Sequence, residues 1–351
     1  MAPDARHPDA SEVPEVGPDH HVAAVEGPSG GRRKLVTRLS TLLGLIVGAV
    51  TCAFVVNELA SEWSRVREAI SDASPVWILV GFAGCALGMT SIGWAWADVL
   101  ALLGAPVARG RVLAWYFVGE LGKYLPGGVW PVLGRGELAR RGGVAGPRAY
   151  ASVALSLVTL YLAAMLVAVG LLPFALGDDG PGATALLLLL LPLGLGALHP
   201  KVLGPVLDLV RRITKRPLAI DVPPWQGSVA TVLRYVPTWL LNAAGTMAVA
   251  HAVAPDEDGL ARIAFAATLS WIAGFLAIAV PAGAGVREAV FIAASGLPSG
   301  LGATVAVATR VLFILVDLGG AAISAPFVRR GAPVDAIDAE PEVIEPEVAP
   351  R

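Results

Sequence analysis

The chain has 351 residues, of which 55% are hydrophobic and 15% charged, with a formal net charge of −2 and a mean hydropathy of +0.68. Apolar runs recur along nearly its whole length, which excludes an ordinary soluble domain, and the near-neutral charge gives no sign of a nucleic-acid partner. Both cysteines, Cys52 and Cys85, fall inside apolar runs, so neither a disulfide framework nor a zinc ribbon is expected.

In chain order, residues 1–34 read as a disordered cytoplasmic tail rich in Pro, Asp, Glu, Gly and His. Arg32, Arg33, Lys34 and Arg38 precede a first span from Leu39 to Asn57, and positive residues are retained on the cytoplasmic side, so the N-terminus is placed inside. No A-x-A-like site follows, so the span is read as retained and not as a cleaved signal. Residues 58–75 look like an amphipathic outer surface helix, and a second span runs from Val76 to Leu103, with Trp77 suited to the interfacial belt.

The stretch from Arg111 to Arg148 carries Glu120, Lys123, Arg135 and Glu137 and is broken by Pro126-Gly127-Gly128. A continuous lipid-facing helix would tolerate neither break nor ions, which have nothing to bond to in hydrocarbon. A simple crossing would also put Arg135, Arg140, Arg141 and Arg148 outside, against the positive-inside rule. A chain that enters, turns at Pro126-Gly127-Gly128 and returns keeps them in the cytoplasm. The segment is therefore expected to be a re-entrant helical hairpin.

A third span covers Ala149–Pro173 and a short fourth Ala183–Leu198, followed by a basic segment with Lys201, Arg211, Arg212, Lys215 and Arg216 on the inside. Span five, Ser228–Val253, ends at the acidic loop PDEDG. The apolar chain from Leu260 then breaks at PAGAGVREAV, and a last span, Gly302–Phe327, ends at Arg329-Arg330 inside. Residues 329–351 read as a disordered acidic cytoplasmic tail. Both ends of 260–301 face outward, so a second hairpin enters from outside with PAGAG at its tip.

The fold expected is an all-α polytopic membrane domain over 35–328, with about six full spans and two re-entrant hairpins, in halves of about 35–173 and 183–328. Each half makes an odd number of crossings, so the second is inverted. A weak local pattern repeats: Pro126-Gly127 before Arg135-x-Glu137, and Pro281-x-Gly283 before Arg287-Glu288. Paired broken segments in inverted halves point to a transporter with its site at mid-membrane.

Eight charges fall within these apolar segments: Glu120, Lys123, Arg135, Glu137, Arg287, Glu288, Arg310 and Asp317. An Arg, Lys or Asp costs about 2.5–3.5 kcal/mol at the centre of a membrane helix, so several of them need partners or water. Local ion pairs such as Glu120–Lys123 and Glu137–Arg141 would account for some of them structurally. The functional reading places an anion at the hairpin tips, where half-helix N–H groups and Lys123, Arg135 and Arg287 converge. The ligand class is then a phospholipid or polyprenyl-phosphate head group with its tails in lipid, and Glu137 and Glu288 are left to meet an amine, a sugar or a coupling proton.

GELGKY departs from a nucleotide P-loop, no G-x-S-x-G occurs, and His199 and His251 are isolated, so no catalytic residue, metal or cofactor is expected. At LPGGVWPVLGRGELARR, VPAGAGVREA and ATRVLFILVDL the chain resembles the lysylphosphatidylglycerol synthase transmembrane-region family of flippase-like domains. The resemblance implies a functional core of Pro126, Gly127, Arg135, Glu137, Gly283, Gly285, Arg287, Glu288 and Arg310, and translocation of aminoacylated or glycosylated lipids between leaflets of the bacterial cytoplasmic membrane. It does not extend to a soluble aminoacyl-transferase domain, so lipid aminoacylation is not expected. Alternatives are a membrane-embedded lipid-phosphate transferase and a non-catalytic membrane partner of a glycosyltransferase.

Overall fold

Proline and glycine set where the helices begin and end. In α1, Pro75–Leu102, Pro75 occupies the first turn, where a missing N–H is no loss. The helix stops where Gly104 turns left-handed at φ 72°, allowing Ala105 N–H to bond back to Leu100 O at 2.9 Å. The computed structural model describes residues 73–125, 129–175, 186–205, 222–257, 259–277 and 280–330. The N-terminal tail, the first span, nearly all of the expected outer helix at 58–75, most of the basic segment, the break at Pro126–Gly128 and the C-terminal tail beyond residue 330 lie outside the described residues, whereas the acidic loop at 255–259 is described except at residue 258.

All regular elements among the described residues are helical. After α1 come α2 (Arg109–Glu120), a 3-10 turn (Leu121–Tyr124), α3 (Trp130–Arg141), α4 (Gly146–Ala175) and α5 (Leu186–Ala197). Then follow α6 (Trp225–Val253), α7 (Leu260–Leu276), a 3-10 turn (Pro281–Gly283), α8 (Val286–Ser295) and α9 (Ser299–Arg330). Among the described residues α1, α4 and residues 299–328 of α9 are long and apolar enough to cross a membrane. α6 has 29 residues and is more polar, but Thr231, Thr238, Asn242 and Thr246 are buried while Leu233 and Leu240 face outward. Its polarity is thus spent on protein contacts.

α1 and α6 run antiparallel along their whole length. Ser74 N–H donates to Ala252 O at 3.2 Å, Ser91 Oγ meets Thr238 Oγ1 at 2.6 Å, and Asp98 pairs with Arg234 at 3.0 Å. Glycines permit the approach: a Cβ at Gly84 would lie 2.8 Å from Gly245 Cα. Gly84→Ala is therefore expected to cost about 1–3 kcal/mol by overpacking, read as earlier thermal unfolding of the purified protein. Unchanged melting would show that the two helices can part without penalty.

The broken segments fold back on themselves. α2 and α3 have 12 residues each, about 18 Å of helix, well short of a bilayer core of about 30 Å. They lie antiparallel, with the Trp115 ring against Gly142, Gly119 against Arg135 and Gly122 against Trp130 and Pro131. α7 and α8 do the same: Arg262 Nε donates to Ala294 O at 3.1 Å near their outer ends, and Gly274 meets Arg287 and Gly283 at the tip.

α1 also packs on α2 and α4, α6 on α7 and α9, α3 on α4, and α8 on α9. Across these groups α4 packs on α7 and α6, while α9 packs on α2 and α1, and the two 3-10 turns touch.

Candidate functional site

Where the two hairpin tips meet α4 the structure encloses a cavity of about 300 Å³. Glu120 reaches it from the end of α2, Lys123 from the following turn and Arg135 from α3. Tyr161 reaches it from α4, Trp271 from α7 and Arg287 from α8. Three cations face one carboxylate, against walls that are otherwise aromatic and aliphatic. Val129 and Phe275 line the cavity and are also 52% and 41% exposed, so it reaches the apolar outer surface of the protein.

Glycine makes room for both arginines. A Cβ at Gly119 would lie 2.6 Å from Arg135 Cγ, and one at Gly274 would collide with Arg287 Cγ. Arg135 is 2% exposed; its Nε donates to Pro131 O at 3.4 Å and lies 3.9 Å from Glu120 Oε2. Its guanidinium faces the rings of Trp96 and Tyr116 at 5.8 and 5.9 Å. Arg287 stacks on Trp271, 3.6 Å from the ring centroid, and makes no ion pair among the described residues. Its charge is held by an aromatic face and left free toward the cavity.

Behind the cavity wall, near the middle of α9, Asp317 has no exposure. Its Oδ2 lies 2.7 Å from Lys123 Nζ and accepts a 2.6 Å hydrogen bond from Tyr124 Oη. Lys123 in turn lies 3.7 Å from Glu120 Oε1, so one ammonium bridges two carboxylates. Asp317 Oδ1, Glu120 Oε2 and Tyr116 Oη are buried and make no hydrogen bond among the described residues. The last two border a deeper annex of about 40 Å³ that also touches Asn242, polar and roomy enough for water.

Glu288 is occupied on both sides. Its Oε1 pairs with Arg310 Nη1 at 2.5 Å, and its Oε2 accepts from Gly285 N–H at 2.6 Å, capping α8. Gly285 and Gly283 have φ of 78° and 67°, which favours glycine at both positions. At Gly283 a side chain would in addition meet Gly274 Cα at 2.7 Å. Glu137 sits apart, at the solvent-exposed end of α3 and outside any span. Hydrogen bonds from Arg140, then Arg141, hold its carboxyl down at about 2.

Of the residues singled out in the sequence, Glu120, Lys123, Arg135, Gly283 and Arg287 line the cavity. Asp317 stands behind it, Glu288 and Arg310 pair beside it, and Glu137 faces away. Pro126 and Gly127 lie outside the described residues. Sequence reasoning missed Trp271, Tyr161, Tyr124 and the paired glycines Gly119 and Gly274. Their only signal was glycine and aromatic residues at apolar positions beside the breaks. Among the described residues no three His, Cys, Asp or Glu side chains converge as metal ligands would.

Helices long and apolar enough to cross a membrane, with shorter broken helices packed among them around a charged cavity, define a helical membrane protein. The chain matches no protein-family model, and no curated protein matches it.

Proposed function

We propose that this protein is a flippase or transporter that moves a phospholipid or a polyprenyl-phosphate-linked glycan between leaflets, binding the anionic head group between the two hairpin tips. The observation that carries this reading is the cavity itself: three cations against one carboxylate, with apolar walls that continue to the exposed side chains of Val129 and Phe275. A phosphate would sit among Lys123, Arg135 and Arg287 while acyl or prenyl tails leave between Val129 and Phe275 into lipid.

In this reading α2–α3 is a re-entrant hairpin from the cytoplasmic face and α7–α8 one from the opposite face, in a fold of about six spans with inverted halves and both termini cytoplasmic. Three features support it. α2, α3 and α8, with 12, 12 and 10 residues, are too short to cross, and the ends of α2 and α3 carry Arg109, Arg111, Arg140 and Arg141. The packing is also reciprocal: taking α1–α4 as counterparts of α6–α9, α4 on α7 has its mate in α9 on α2, α4 on α6 in α9 on α1, and α3 on α4 in α8 on α9. Finally, the Gly119–Arg135 contact in one hairpin recurs as Gly274–Arg287 in the other. Membership of the lysylphosphatidylglycerol synthase transmembrane-region family, a bacterial inner-membrane location and an aminoacylated or glycosylated lipid as cargo are part of the same proposal.

Reconstitution into liposomes with a fluorescent short-chain phosphatidylglycerol tests it. The fraction open to an outer-leaflet quencher is expected to rise above that of protein-free vesicles, with the lipid mass unchanged. An unchanged fraction would contradict transport, and a changed mass would point to a transferase.

A further inference from the structure

Lys123 belongs to two environments at once. Its ammonium lines the cavity and is also the cation at 2.7 Å from Asp317, a carboxylate with no exposure. Asp317 Oδ2 is used by Lys123 and Tyr124, whereas Oδ1 is buried and makes no hydrogen bond among the described residues. The groups facing this carboxylate are Lys123 and Tyr124 from the turn and Tyr116 and Glu120 from α2, while Arg287 from α8 and Arg310 from its own helix act on the adjoining Tyr124 hydroxyl and Glu288 pairs with Arg310. Arg310 pairs with Glu288, and among the described residues Lys123 is the cation in contact with Asp317.

An anion entering the cavity competes with Asp317 for that ammonium. A buried carboxylate stripped of its cation and cut off from water is far costlier than a neutral carboxyl group. The bare Oδ1 is where a proton would go, leaving the Tyr124 hydrogen bond to Oδ2 in place. We infer that binding of an anionic head group is coupled to uptake of one proton by Asp317, with Lys123 as the part that moves between them. The proton comes from water. Lys123 keeps its charge and changes partner from Asp317 to the anion, so one negative charge and one proton enter together and the bound state is electroneutral. The inference rests on the cavity being an anion site and adds an energy source, the proton gradient.

The test uses a short-chain phosphatidylglycerol, because a phosphodiester keeps one fixed charge where a phosphomonoester would itself titrate near pH 6. With the full-length protein in detergent, affinity is expected to weaken by about tenfold per pH unit over the range where unliganded Asp317 is ionised, sought between about pH 5.5 and 8.5. A weakly buffered sample with an indicator dye should take up one proton per lipid bound, a readout that needs no variant. Asp317→Asn should make the affinity independent of pH; Glu120→Gln should not. Wild-type binding with neither pH dependence nor proton uptake would overturn the coupling and leave the site intact. A pH dependence that survives Asp317→Asn or vanishes in Glu120→Gln would overturn the assignment to Asp317. No binding at any pH would overturn the site reading and the coupling together.

Discussion

Lys123→Ala is expected to be the most damaging single substitution in the described part of the chain, costing about 3–5 kcal/mol of stability. Among the described residues the side chain supplies the only ammonium or guanidinium in contact with Asp317, whose carboxylate is wholly buried in the middle of α9. Removing one partner of such a pair leaves an uncompensated charge, and the penalty of that orphan exceeds the value of the pair itself. Two consequences separate this cause from a simple packing loss. Asp317→Asn in the same chain should recover most of the lost stability, because the neutral amide still accepts from Tyr124 and needs no cation. The single variant should also be less impaired in acid than in base, since a protonated Asp317 needs no counter-ion. Chemical denaturation in detergent at two pH values reads both, and equal instability of the single and double variants would contradict the account.

Arg287→Ala should have the opposite profile, a large loss of binding with a small loss of stability. The guanidinium makes no ion pair among the described residues and is held by the face of Trp271. Truncation therefore strands no carboxylate; it forfeits the stacking on Trp271, worth about 0.5–2 kcal/mol, and the contact of the Arg287 stem with Gly274. The cavity, however, loses its least neutralised cation. A hydrogen bond to a charged group contributes about 1.5–3 kcal/mol, so binding of short-chain phosphatidylglycerol should weaken roughly 10–100-fold. Arg135→Ala should weaken binding too but unfold the protein more readily, because Arg135 is almost fully buried and fills the contact between α2 and α3. Unaltered lipid binding by a folded Arg287→Ala protein would contradict the assignment.

What could be read from the chain divides by range. Helical character and the long apolar helices were legible because apolar runs of bilayer length need no tertiary context: Val76–Leu103 was expected where Pro75–Leu102 is found. Chain breaks were legible wherever glycine cluster and proline interrupt the run, as at Pro281–Gly285. Local ion pairs, Glu120 with Lys123 and Glu137 with Arg141, follow from helical spacing and are present. Contacts made by closure of the fold were not legible. The bond from Tyr124 to Asp317 spans 193 residues, and nothing in ATRVLFILVDL says that Asp317 turns to a distant lysine while Arg310 turns to Glu288. Trp271 looked like one more apolar residue until the second hairpin closed under Arg287. Likewise, Gly119 and Gly274 have meaning only once an arginine from the returning arm lies against each of them.

The account rests on two hairpins that enter the bilayer from opposite faces and return, and labelling of single cysteines in sealed vesicles tests it most directly. With the native cysteines replaced, reagent that cannot cross the membrane should reach positions 111 and 148 from the same side, and position 299 from the other. Opposite-side labelling of 111 and 148 would mean that the first broken segment crosses the membrane, and the anion cavity at the hairpin tips would have no place in the protein.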